Sequence, residues 1–195
     1  ATECTPGTYS QMASSNCTAC PPGEFQEVQG KATCELAHAG YYVDEKGTAA
    51  QSPCEAGRFS AMGATVCEAC GIGEYSNKSA SSCVACAAGE SSNSTGAAKC
   101  EPCPAGTYKG AGAGPCLDCP AATYTDDTGQ SQCKLAEAGT YVNEEGASEP
   151  TDCPAGWYSS TAMSECIVCG IGSYSGIGDS ECTLCPAGES SADVG

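Results

Sequence analysis

CTPGTYS, residues 4–10, is the phrase on which the reading of this chain turns. It sets a cysteine, a glycine three residues on, and an aromatic two beyond that. The phrase returns as CPPGEF at 20–25, CEAGRFS at 54–60, CPAGTY at 103–108 and CPAGWYS at 153–159. Modules of this form begin at Cys4, Cys20, Ala37, Cys54, Cys70, Cys86, Cys103, Cys119, Ala136, Cys153, Cys169 and Cys185, always 16 or 17 residues apart. The fourth position is glycine in eleven of the twelve, Ala122 being the exception, and the sixth is aromatic in ten. Self-similarity at a fixed short period is the mark of a repeat architecture.

A longer period lies over the short one. Every cysteine from Cys4 to Cys86 recurs 99 residues later, from Cys103 to Cys185. The irregularities recur as well: Ala37 and Ala136 stand where an opening cysteine is due, and Ser91 and Ser190 where an aromatic is due. The chain therefore reads as two six-module blocks, residues 4–102 and 103–195, the second stopping before its last cysteine.

Composition explains why such a chain needs staples. Leu, Ile, Val and Phe together number 17 among 195 residues, and the formal net charge is −17. So little apolar matter with so much charge predicts disorder unless something else holds the chain. The 19 cysteines are that something, and a scaffold of this density persists only in an oxidising, extracellular setting. Seven Lys and Arg against 24 Asp and Glu exclude a nucleic-acid or anionic-membrane surface. No apolar run reaches the length of a membrane span. No leader pattern precedes Cys4, so the sequence reads as a piece of a longer secreted or surface-displayed protein.

The pairing of cysteines is read from those that are missing. Module three lacks its opening cysteine at Ala37 and its closing one near Ala50, and module nine lacks both at Ala136 and near Glu149. Residues that vanish together are most simply partners. This gives Cys4–Cys17, Cys20–Cys34, Cys54–Cys67, Cys70–Cys83, Cys86–Cys100, Cys103–Cys116, Cys119–Cys133, Cys153–Cys166 and Cys169–Cys182. Cys185 is left over, its partner expected near position 199. A rival scheme joins each Cys-x-x-Cys, as in Cys67–Cys70, adds Cys34–Cys54 and Cys133–Cys153, and orphans Cys4. A bridge closing about 14 residues is worth roughly 3 kcal/mol in the chain-entropy model. The glycine before the aromatic predicts a tight turn feeding a short strand, with the ring lying over a neighbouring disulfide. The expected fold is small, disulfide-rich and mainly β or irregular, with little or no helix. It is an elongated solenoid-like stack of single-disulfide hairpins, each touching only its neighbours.

These phrases resemble the ephrin-receptor-like cysteine-rich repeat, and are similar to the single-disulfide module of tumour-necrosis-factor-receptor-type domains. The resemblance implies an elongated, non-catalytic ectodomain with one bridge per module. The bridge-free modules at Ala37 and Ala136 depart from that pattern, as does the absence of interleaved two-bridge modules. Long uniform arrays of this kind look more like large surface proteins of unicellular eukaryotes, including those that build fibres or flagellar hairs.

Other chemistry is weighed against simpler readings. Cys67-x-x-Cys70 with Cys83-x-x-Cys86 has the spacing of a zinc ribbon, but the single Cys4, Cys34 and Cys54 break a scheme that needs ligands in fours. Asp44 and Glu45, and Asn143, Glu144 and Glu145, lie in the loops that lack a bridge. A calcium ion there would stand in for the staple, a solvated acidic turn being the simpler account. His38, the only histidine, has no partner pattern for catalysis. Asn77 and Asn93, and more weakly Asn16, head N-glycosylation sequons. Arg58 and Trp157 occupy matching positions and are the least repeat-like pair. The expected role is a non-enzymatic structural array that self-associates into a rod or filament and carries glycans. A ligand-binding receptor or adhesion ectodomain is the alternative.

Overall fold

The computed structural model describes residues 3–190, and no helix forms among them. Two-residue strands pair antiparallel as small hairpins, such as Thr8–Tyr9 with Thr18–Ala19 and Thr107–Tyr108 with Leu117–Asp118. The chain divides into two compact units. One is Ala1–Cys86 with Ser92–Glu101 and Gly112–Gly114; the other is Ala87–Ser91 with Pro102–Ala111 and Pro115–Gly195. Both are built by the same rules.

Within a module the phrase Cys-x-x-Gly-x-aromatic makes a turn and starts a strand. In module one the Thr8 amide donates to the Thr5 carbonyl at 3.1 Å, and Gly7 sits at φ +80°. A positive φ at the third residue of a turn with Pro6 ahead of it is type II chemistry, which favours glycine there. The strand that follows pairs with the residues before the next module, and the Cys20 amide closes the module on the Gly7 carbonyl at 2.9 Å. Each disulfide joins the opening cysteine to the cysteine 13 or 14 residues on, with Cα atoms 5.6–5.8 Å apart. The Cys-x-x-Cys seams therefore carry no bridge of their own, and Cys67, Cys70, Cys83 and Cys86 all sit in disulfides with no thiolate to offer zinc.

Successive modules are joined by main chain. The Gly7 amide donates to the Gln26 carbonyl at 2.8 Å, and the Gly30 amide returns to the Cys4 carbonyl at 2.9 Å. The same exchange recurs as Gly57 to Ser76 and Ser79 to Cys54, and as Gly106 to Thr125 and Gly129 to Cys103. The seventh position adds a side-chain tie. Ser60 Oγ donates to the Tyr41 carbonyl at 2.8 Å, Ser76 to Arg58, Ser159 to Thr140 and Ser175 to Trp157.

The expectation that modules touch only their neighbours is corrected here. A Cβ on Gly57 would lie 2.0 Å from the carbonyl oxygen of Gly96, two modules on; the same distance at Gly106 against Gly146 is 2.1 Å. Absence of a side chain at the fourth position is what lets a third strand of backbone come this close. Modules four and seven therefore lean on the next module and on the one after it.

Buried side chains come mainly from two positions of the module. The first-position residues from Cys4 to Cys169 are buried, including Ala37 and Ala136, which are wholly enclosed where the sulfur is missing. The seventh-position side chains are mostly polar, and Gln26, Ser60, Ser76, Thr125 and Ser159 are all buried. Among the described residues no buried side-chain nitrogen or oxygen lacks a hydrogen-bond partner, so this polar set costs little. Val43 and Val142 break it, and they belong to the two bridge-free modules. Val43 packs with Ala37 and Phe25, an apolar contact in place of the missing staple.

Candidate functional site

The bridge-free modules also make a feature that differs in kind between the two blocks. Where module three meets module four there is a groove of about 390 Å³, and where module nine meets module ten there is one of about 400 Å³. Each lies within a single compact unit. They are the same place read 99 residues apart. Tyr42 and Tyr141 line one wall, and the closing cysteines Cys67 and Cys166 another.

The remaining lining residues diverge. The first groove holds Asp44, Glu55, Arg58, Thr65 and Val66; the second holds Asn143, Pro154, Trp157, Ser164 and Glu165 at the matching positions. Arg58 is the chain's only arginine and Trp157 its only tryptophan. The Arg58 guanidinium is anchored: its Nη1 donates to the Cys67 carbonyl at 3.1 Å. Lys78 pairs with Glu55 at 3.3 Å, so the first groove has cations at hand. In the second block Ile177 stands at the Lys78 position, and no basic residue lines the groove. Trp157 is 39 % exposed, enough for a ring face to be offered to solvent.

Asp44 and Asn143 thus belong to the grooves, whereas Glu45, Glu144 and Glu145 point to exposed turns. Among the described residues no three carboxylates, histidines or cysteines converge as metal ligands. Asn16, Asn77 and Asn93 are exposed, and Cys17 beside Asn16 is held in its bridge to Cys4. Cys185 carries a free thiol.

His38 has a role that residue type alone did not reveal. Its backbone amide donates to Gln51 Oε1 and its Nδ1 meets Gln51 Nε2, both at 2.7 Å, while its ring stands edge-on to Phe25. Residues 38 and 51 are next to the two vacant cysteine positions, so this pair clamps module three across the span that a disulfide closes elsewhere. Module nine has Glu137 and Pro150 there and cannot repeat it. The readable signal was the coincidence of a lone His, a Gln and two absent cysteines.

The chemistry of the modules is that of stapled, hydrogen-bonded repeats, and nine disulfides among the described residues indicate a place outside the cell or at its surface. No helix of the described residues is long and apolar enough to cross a membrane. Comparison with curated proteins finds no match. The family described as tyrosine-protein kinase ephrin type A/B receptor-like matches over residues 7–54, 73–111, 89–133, 106–153 and 156–195. Those segments span most of the sequence and fall on the modules whose turns, bridges and hairpins are set out above, so the chain belongs to the ephrin-receptor-like family of cysteine-rich repeats.

Proposed function

We propose that this chain is a non-enzymatic extracellular structural repeat that forms or decorates a rod or filament. The observation that carries the reading is the main-chain exchange between modules, as from Gly57 to Ser76 and back from Ser79 to Cys54. Because those donors and acceptors are backbone groups, the main-chain exchange itself tolerates variation at most positions of a module, provided the fourth stays small, and modules of one kind can be added in series. The strict 99-residue register, with its bridge-free modules kept in place, fits a demand on shape along the whole length. Copies associating head to tail without closing would give a filament. The acidic excess and the exposed Asn16, Asn77 and Asn93 suit a solvated, sugar-bearing outer face. Negative-stain electron microscopy of protein secreted from eukaryotic cells, over a range of concentrations, is the test. Ordered filaments with one axial repeat are expected; dispersed particles at every concentration remove the assembly reading.

The second reading is a ligand-binding ectodomain. It is favoured by the divergence of the two grooves, since a purely architectural joint has no need to exchange Arg58 for Trp157.

A further inference from the structure

We propose that the groove lined by Trp157 binds a guanidinium or alkylammonium group, presented as an arginine or lysine side chain of a protein partner. The inference goes beyond the assembly reading and stands whether or not filaments form.

The first groove is the template. There the position of Trp157 is occupied by Arg58, whose guanidinium is held among the groove residues by the carbonyl of Cys67. That groove carries its own cation. In the second block the arginine is gone, yet Tyr141 and the closing Cys166 are retained, and a carboxylate, Glu165, appears where Val66 stood. The result is a concave site with two aromatic side chains, one carboxylate, the amide of Asn143 and no basic residue. An aromatic face attracts a cation through its quadrupole, tryptophan most strongly, and a carboxylate at the rim adds a charge-assisted hydrogen bond. An anionic ligand meets the opposite condition. It would have to approach a chain of net charge −17 and settle beside Glu165 with nothing to pair it.

Trp157 makes the test direct, because as the only tryptophan it reports on this groove alone. The whole chain is titrated with the peptide acetyl-Gly-Arg-Gly-amide while tryptophan emission is followed. The same peptide with citrulline in place of arginine is the uncharged control, and methyl glucoside is the neutral sugar control. A saturating change with the arginine peptide is expected, weakened by rising salt and about tenfold weaker with citrulline. Glu165→Gln, a change at an exposed position, should weaken it about threefold. In Trp157→Arg, which rebuilds the first groove in the second block, binding followed by peptide NMR line-broadening should disappear. Equal binding of the arginine and citrulline peptides overturns the proposal. So does saturation by the sugar in place of the arginine peptide, or no saturation by any probe.

Discussion

Gly57 is a position where a single methyl group does great harm. Its φ of +85° costs an L-residue about 1–2 kcal/mol, and a Cβ there would sit 2.0 Å from a backbone oxygen that has no rotamer with which to escape. Gly57→Ala should therefore lower stability by about 3 kcal/mol, read from the guanidinium midpoint with all bridges intact. Gly110→Ala, at a glycine with open space around it and no positive φ, should change it by less than about 0.5 kcal/mol. Equal effects at the two positions would contradict the close approach of modules two apart. Ala122, at φ +70°, bears the backbone part of this strain in module eight. A second residue-scale prediction concerns charge. The hydrogen bond from Lys134 holds the Asp126 carboxyl below its ordinary range, and the same bond holds the Lys134 ammonium above its own. Depression of Asp126 means that its share of the pairing is full above the ordinary carboxylate pKa and is lost as pH falls through the lower folded value. Elevation of Lys134 means that its share is full below the ordinary ammonium pKa and is lost as pH rises through the higher folded value. The pair thus holds across neutral pH and opens at both extremes. Asp126→Asn should return Lys134 toward its ordinary titration, which NMR of the side-chain Nζ would follow; an unmoved Lys134 would exclude the partnership.

At the scale of the module, the bridge-free modules show how one element does without its staple. Module three substitutes the Ala37–Val43–Phe25 contact and the His38–Gln51 clamp for a disulfide. Ala37→Cys with Ala50→Cys, accompanied by Val43→Ser to make room, should close a further bridge in that module. Non-reducing mass spectrometry would show the loss of two hydrogens, and stability should rise by up to about 3 kcal/mol. Two persistent free thiols would mean that module three does not share the backbone of the others. The turn at glycine, the short hairpins and the single-disulfide module were all legible in the phrase CTPGTYS and its spacing. The seventh position was not. Its serines and threonines resemble ordinary surface residues in sequence, and only the fold shows that they are buried and tie each module to the one before. The clue lay in Val43 and Val142, the two apolar exceptions, which keep company with the two missing cysteine pairs. The grooves were half legible: Arg58 and Trp157 stood out as a mismatched pair, but their concave surroundings depend on how two modules meet.

For the whole molecule, the interior is too thin to hold without sulfur. Outside the cysteines, the buried apolar residues among those described are Phe25, Ala37, Val43, Ala136 and Val142. A chain with this interior and this charge cannot offset the entropy of ordering nearly 200 residues. Full reduction at neutral pH, without denaturant, should expand it to an unfolded chain, seen as a loss of amide protection and a larger hydrodynamic radius. Retention of protected amides after reduction would show that the main-chain exchange suffices alone. The bridges also decide how the protein behaves under tension. Each one hides 13 or 14 residues behind a span of 5.6–5.8 Å, slack that would stretch to about 45 Å if released. A pulled chain cannot pay out that slack, except between Cys34 and Cys54 and between Cys133 and Cys153, where no bridge intervenes. Each of those stretches has a fully extended length of roughly 70 Å. Single-molecule pulling should therefore find two long give-points in a tether that is otherwise almost inextensible, placed one per block like links left deliberately open.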